Sequence, residues 1–174
     1  YYGSDGKAVK WSQKIDGKWY YFDGQCRMQT GWVTWSADGT KSYFQPGEDG
    51  KAAALTGWHE VDGEWYYFNP SSGISVRWSQ NIGGHWFYFN GSSQMVTGWV
   101  TWSAGGAKSY FDPSSGRAWT GWQTIGGKRY YFDPKTGKSV RWSQKIGDAW
   151  YYFDGDSCMA TGLVTWYGDG SKSL

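Results

Sequence analysis

The stretch Trp11-Ser12-Gln13-Lys14-Ile15-Asp16-Gly17-Lys18-Trp19-Tyr20-Tyr21-Phe22 decides the fold. It reads as a short alternating strand, a two-residue turn and an aromatic strand. Asp-Gly between such runs is the strongest short-range hairpin signal, because a type I′ turn needs positive φ at both central residues. Corresponding dipeptides stand at Asp38-Gly39, Asp62-Gly63, Gly83-Gly84, Gly105-Gly106, Gly126-Gly127, Gly147-Asp148 and Asp169-Gly170. Trp11, Trp32, Trp58, Trp78, Trp99, Trp122 and Trp142 recur with them, and Leu163 continues the series. The chain is therefore an internal repeat, with units at residues 1–10 (partial), 11–30, 31–56, 57–77, 78–97, 98–120, 121–141, 142–161 and 162–174, the last a degenerate cap.

A unit of roughly twenty residues is too small to bury a core, so each copy must be completed by its neighbours. The expected fold is all-β: a β-solenoid of about eight stacked hairpins forming one repeat domain over residues 1–174. Composition agrees. Leu, Ile and Val number only 16 of 174 residues, whereas 15 Trp, 14 Tyr and 8 Phe supply large apolar faces at strand spacing. A net charge of +2 provides no self-repulsion to hold the chain open. Helix is not expected, because 27 Gly are spread along the chain and no Gly-free window has helical apolar spacing. The longest apolar runs are four-residue aromatic blocks such as Trp150 to Phe153, so no membrane insertion is expected.

A longer period lies within the first. Units opening Trp-Ser-Gln (Trp11, Trp78, Trp142) are followed by units opening Gly-Trp-Val-Thr-Trp (Trp32, Trp99), and those at Trp58 and Trp122 come third. A rotation of about a third of a turn per hairpin would align like types in columns. The chain opens on Tyr1-Tyr2, like the second strand of a unit, so it reads as cut from a longer protein. Cys26 and Cys158 fall in units of one subtype at different offsets, and are expected as two unpaired thiols.

The pattern Gly-Trp, then Gly-x-Trp-Tyr-Tyr-Phe, then Gly-x-Met-x-Thr-Gly-Trp, seen in Trp11 to Trp32 and again in Trp78 to Trp99, resembles the cell wall-binding repeats of choline-binding proteins. It is also similar to repeats of streptococcal glucan-binding domains and large clostridial toxins. The resemblance covers essentially the whole chain. It implies a β-solenoid, secreted to the bacterial cell surface, that attaches a larger protein to wall teichoic acid through choline or to a polysaccharide. In choline-binding members, it further implies, two Trp of one repeat and an aromatic of the next cage the quaternary ammonium. That chemistry is sound, since a cation with no N–H can be held only by apolar contact and by the negative faces of rings.

Residue by residue, the turn at Asp62-Gly63 pairs Trp58 with Tyr67 and Glu60 with Trp65, so Trp58, Trp65 and Tyr67 share one face that Phe87 of the next unit would close. The Trp-Ser-Gln units have one more residue before the turn. Trp11 and Trp19, Trp78 and Trp86, and Trp142 and Trp150 then fall on opposite faces unless a β-bulge restores the register. Trp122, Tyr130 and Tyr151 complete the candidate ligand-binding set. Lys41, Lys108 and Arg129 stand where the pattern wants Trp, and a cation there would repel choline; Trp35 and Trp102 are extra aromatics that compensate.

No catalytic site, metal site or cofactor is expected. His59 and His85 occupy different hairpin positions with no Cys or Ser partner at a fixed offset, and the acids are mostly turn residues. Nucleic acid is not an expected partner, because 15 acids offset 17 scattered Lys and Arg. Three function classes remain: a wall-tethering module, an α-glucan-binding module of a glucosyltransferase-like enzyme, and a structural stalk or receptor-binding array. Pairing of two rods into a homodimer stays open, since hairpin edges are left at both ends.

Overall fold

The computed structural model describes residues 1–165 and the backbone of residues 172–173. The turn at Asp169-Gly170 and the capping Leu174 lie outside the described residues. Among those described there is no helix. Seven hairpins follow one another: β1 (Trp11–Ile15) with β2 (Lys18–Phe22), β3 (Gly31–Thr34) with β4 (Lys41–Pro46), β6 (Gly57–Val61) with β7 (Glu64–Phe68), β8 (Trp78–Ile82) with β9 (His85–Phe89), β10 (Gly98–Thr101) with β11 (Lys108–Phe111), β12 (Gly121–Ile125) with β13 (Lys128–Phe132), and β14 (Trp142–Ile146) with β15 (Ala149–Phe153). A short pair, β16 (Val164–Thr165) with β17 (Lys172–Ser173), comes last. The chain forms two compact units, residues 1–80 with 88–95, and residues 81–87 with 96–174.

The tight turns behave as their residues require. Asp62 and Gly63 have φ of 55° and 80°, and Asp16-Gly17, Gly83-Gly84 and Gly126-Gly127 are likewise positive at both places. Two hairpins depart from the expectation of uniform two-residue turns. β3 ends at Thr34 and β4 begins at Lys41, so Asp38-Gly39 lies within a longer loop closed by a Gly39 N–H to Trp35 carbonyl bond of 2.8 Å, and Gly105-Gly106 lies in the equivalent loop between β10 and β11. The first hairpin type starts unexpectedly too. Trp11 pairs with Phe22 in the register that Gly31 holds with Phe44 and Gly57 with Phe68, and its φ is +62° where those glycines are also positive.

Each hairpin ends on a Phe that its own two strands cannot cover, yet Phe68, Phe89, Phe132 and Phe153 are each 0% exposed. Their own return loops bridge back to them, as in Phe68 to Ser75 and Phe132 to Ser139; Tyr2 to Ala8 repeats the contact at the start of the chain. In the second hairpin this return thickens into a third strand, β5 (Ala52–Ala54), which the sequence did not announce. The loop of one hairpin also bonds the second strand of the hairpin before it. Ser75 N–H donates to the Lys41 carbonyl at 2.7 Å and Met95 N–H to Trp65 at 2.8 Å in the first unit; Ser139 N–H to Lys108 at 2.6 Å and Met159 N–H to Arg129 at 2.7 Å repeat this in the second. Hairpin edges that would otherwise be open donors and acceptors are thereby paired.

Buried hydroxyls extend the stitching. Ser75 Oγ accepts from Lys41 N–H at 3.0 Å and donates to Ser93 Oγ at 2.8 Å, and Ser139 does the same with Lys108 at 2.8 Å and Ser157 at 2.7 Å. Trp19 spans further, its indole N–H donating to the Ser71 carbonyl at 2.8 Å; Trp86 donates likewise to Lys135 at 2.8 Å. Cys26 and Cys158 are both free thiols.

Phe68→Ala should cost about 3–5 kcal/mol, the range for emptying a buried ring site, read as a loss in urea-denaturation stability. Gly73→Ala should cost more than about 1 kcal/mol, because its φ is +67° and an added Cβ would meet the Ala54 Cβ at 2.7 Å. Trp19→Phe removes one interhairpin hydrogen bond and should cost about 0.5–1.5 kcal/mol. Trp150→Phe, at a side chain 70% exposed, should stay within about 0.5 kcal/mol of the parent by the same measurement.

Candidate functional site

The aromatic faces are built where one hairpin meets the next. On the first strand of four hairpins a Trp sits directly across from a Tyr: Trp32 to Tyr43, Trp58 to Tyr67, Trp99 to Tyr110 and Trp122 to Tyr131, with ring centres 5.0 to 5.1 Å apart and steeply inclined. The other side of the Trp ring is taken by the following hairpin. Trp32 meets Tyr66 at 4.8 Å and Phe68 at 6.1 Å, Trp99 meets Tyr130 at 5.0 Å and Phe132 at 6.1 Å, and Trp122 meets Tyr151 at 4.8 Å and Phe153 at 5.9 Å. Trp58 meets Phe89 at 5.8 Å. Each such Trp is a wedge between hairpins, partly packed and partly open.

The Trp-Ser-Gln hairpins differ. Their wedge position holds Ser12 or Ser143, while the preceding Trp, in its left-handed conformation, swings its ring over the same Tyr at a longer distance: Trp11 to Tyr21 at 6.3 Å, Trp78 to Tyr88 at 6.4 Å and Trp142 to Tyr152 at 6.3 Å. No bulge interrupts the β1–β2 or β14–β15 register. Trp11 is therefore brought to Tyr21, and Trp19 is held apart by its bond to Ser71. At the first junction the space left by Ser12 is filled from the next hairpin: Trp35 packs edge-on against Tyr21 at 5.4 Å and donates its N–H to Ser42 Oγ at 3.1 Å. Ser42 in turn donates to the Gly73 carbonyl at 2.7 Å, and the same chain of bonds links Trp102, Ser109 and Gly137. A cleft of about 170 Å³ remains between Ser12, Trp19 and Trp35.

Across the hairpin from each wedge lies a second position. It carries Trp19, Lys41, Trp65, Trp86, Lys108, Arg129 and Trp150 in chain order. Only β6–β7 combines a wedge Trp with a second Trp; Trp58 and Trp65 lie on one face by register, and Trp65 is 43% exposed. Phe87 is buried in β9. Lys41 and Arg129 lie over their wedges, with Nζ 5.7 Å from the Trp32 ring and Cζ 4.5 Å from the Trp122 ring. Lys108 instead bonds Asp156 at 2.9 Å and holds that carboxyl below the usual carboxylate range. Tyr130 is buried, which pushes its phenol above the usual range, with the Cys158 thiol 3.3 Å away adding to the effect.

Sequence reading singled out Trp58, Trp65 and Tyr67 but passed over Trp32 with Tyr66 and Trp99 with Tyr110, because Lys41 and Lys108 broke the motif. The signal was present: both carry the same Gly-Trp start as Trp58. Beside Trp19 and Tyr20 the first unit also holds a groove of about 470 Å³, bordered by Asp49, Lys51 and His59. Among the described residues no group of three or more His, Cys, Asp or Glu is arranged to hold a metal ion.

Known proteins share this architecture. The family model described as "Choline-binding repeat" matches residues 12–54, 76–120 and 119–157, and the "Putative cell wall binding repeat" matches residues 56–71. The structure superposes on choline binding protein F from Streptococcus pneumoniae with a TM-score of 0.70 and 28% identity, covering 90% of this chain and 49% of that one. For CbpJ of the same organism the values are 0.72 and 26%, over 97% and 65%. For the modular autolysin LytC, again from Streptococcus pneumoniae, they are 0.63 and 29%, over 99% and 37%. This chain thus spans about half the length of choline binding protein F and about two thirds of CbpJ. No curated protein matches. With repeat matches over most of its length and hairpins stacked as in these modules, the chain belongs to the choline-binding repeat family.

Proposed function

We propose that this chain is a non-catalytic module that tethers a larger bacterial surface or secreted protein to the cell wall by binding choline of teichoic acid between hairpins. The observation that carries the reading is the β6–β7 face, where the register sets Trp58, Trp65 and Tyr67 side by side and Trp65 is 43% exposed. Trp11, Trp19, Trp78, Trp86, Trp142 and Trp150 are weaker candidates, because their hairpins carry Ser at the wedge. Trp122, which meets Tyr131 and Tyr151, already has Arg129 on its face; Tyr130 lies on the other face of that hairpin, against Trp99.

Choline is a permanent cation without N–H, and each ring it meets contributes about 0.5–2 kcal/mol. Individual sites are then weak. Several on one chain facing a polymer with many choline groups give firm attachment through effective concentration. The solved relatives support a wall ligand, since choline binding protein F was crystallised in the presence of a peptidoglycan analogue and LytC in complex with a synthetic peptidoglycan ligand. The groove beside Trp19 favours a glycan as a second ligand, because it joins an aromatic wall to Asp49, Lys51 and His59.

In a tryptophan-fluorescence titration, choline chloride should saturate the protein in the millimolar range, with sodium chloride at matched ionic strength producing no saturating change. Trp58→Ala should weaken the strongest phase by tenfold or more, a loss of about 1.4 kcal/mol. A response to soluble peptidoglycan fragments or dextran without any response to choline would replace this reading by the glycan one.

A further inference from the structure

The second hairpin is built differently from its sequence counterpart, β10–β11. Nine residues, 45–53, separate Phe44 from its partner Ala54, whereas six, 112–117, separate Phe111 from its bridge partner Ala118. The longer return pairs as β5 and closes a turn on itself. Gly47 N–H donates to the Lys51 carbonyl at 2.7 Å, Gly50 N–H to the Gly47 carbonyl at 3.0 Å, and Lys51 N–H to Asp49 Oδ1 at 3.1 Å. Where the counterpart carries Trp119, whose ring packs on Tyr110 at 4.6 Å, this hairpin carries the smaller Leu55.

Leu55 and the β4–β5 turn border the groove of about 470 Å³ beside Trp19, a volume within the range of small-ligand sites. One wall is a fixed platform. The Trp19 indole N–H donates to the Ser71 carbonyl at 2.8 Å, so the ring is oriented before any ligand arrives. Lys14 also reaches that ring, at 5.8 Å, but does not line the groove. Another wall is polar: Asp49 and Lys51 lie 3.6 Å apart with both side chains exposed, and the Lys51 N–H helps hold the Asp49 carboxyl below the usual carboxylate range. A pyranose suits this combination, because its C–H face lies on an indole while its hydroxyls donate to a carboxylate and accept from an ammonium. Lys18 and Lys51, both lining the groove, disfavour a cationic ligand.

We propose that the β4–β5 extension builds an oligosaccharide subsite in which Trp19 stacks a pyranose ring and Asp49 and Lys51 bond its hydroxyls. The ligand class is an uncharged pyranose chain, drawn either from an N-acetylated amino-sugar polymer or from an unsubstituted glucan. The site lies apart from the wedge faces of Trp32 and Trp58, so it acts beside choline binding rather than through it. The assignment rests on the glycan reading of this groove given above and adds to it the residues that recognise the sugar.

Two-dimensional NMR of the indole N–H signals, assigned with single Trp→Phe variants, tests this in separate titrations with tetra-N-acetylchitotetraose and isomaltotetraose, and with choline chloride alongside. At least one oligosaccharide should shift Trp19 saturably in the millimolar range, and which one does so tells the amino-sugar source from the glucan source. Asp49→Ala and Lys51→Ala, both at exposed turn positions, should each raise that midpoint by about threefold or more while leaving the response of Trp58 to choline unchanged. If other indoles respond to an oligosaccharide while Trp19 stays silent, the groove is refuted and the glycan reading stands elsewhere on the chain. If no indole responds to either oligosaccharide, the groove and the glycan reading fall together, and the choline titration decides the tethering reading by itself. If Trp19 responds but both alanine variants keep the parent midpoint, the recognition role of the β4–β5 turn is overturned.

Discussion

A hairpin of two strands of four to six residues cannot hide the Phe near its end, and the rest of the packing follows from that shortfall. The return loop covers one side of the Phe, and the Trp of the preceding hairpin covers another wherever that hairpin has one at the wedge. Cohesion is therefore shared between neighbours rather than gathered in a common centre. The same Trp that completes the next hairpin's core also presents its remaining surface to solvent. On the proposed reading, packing and recognition fall on one side chain, which is why the two are hard to separate by composition.

That shared duty limits how binding can vary. Replacing the wedge Trp would loosen the stack, so the freedom lies across the hairpin, at the position of Trp65, Lys41, Lys108 and Arg129. On the proposed reading an aromatic there adds a second ring to the face, whereas a base covers the wedge ring, as Lys41 and Arg129 do. Lys41 and Lys108 differ in contact: Lys41 lies over Trp32, whereas Lys108 bonds the loop carboxylate of Asp156 two hairpins on. An exposed ion pair of this kind contributes little to stability. Its consequence is local: the Lys108 ammonium lies on Asp156.

Much of this was legible beforehand. The Asp-Gly and Gly-Gly pairs and the aromatic strands fixed the hairpins, and the register at Asp62-Gly63 placed Trp58, Trp65 and Tyr67 on one face as the pairing shows. Trp11 was harder to read. Its position looked like that of Trp32, but pairing puts it in the place of Gly31, with a left-handed backbone that non-Gly residues adopt only when the surroundings impose it. The strand β5 was hidden because Ala52–Ala54 has no strand alternation to betray it; its pairing depends on β4 being there first. The Asp156 contact joins residues 48 apart, so no local pattern announces it.

The exchange between Ser12, Trp35 and Ser42 carries a consequence for how such a protein can change length. Where one hairpin lacks its wedge, the next supplies a ring from its turn and gives up the Tyr that would collide with it, so these two are cut to fit in one order only. Excising either of these two hairpins alone would part Tyr21 from the Trp35 ring that covers it. A change of length that spares this junction must carry both hairpins together.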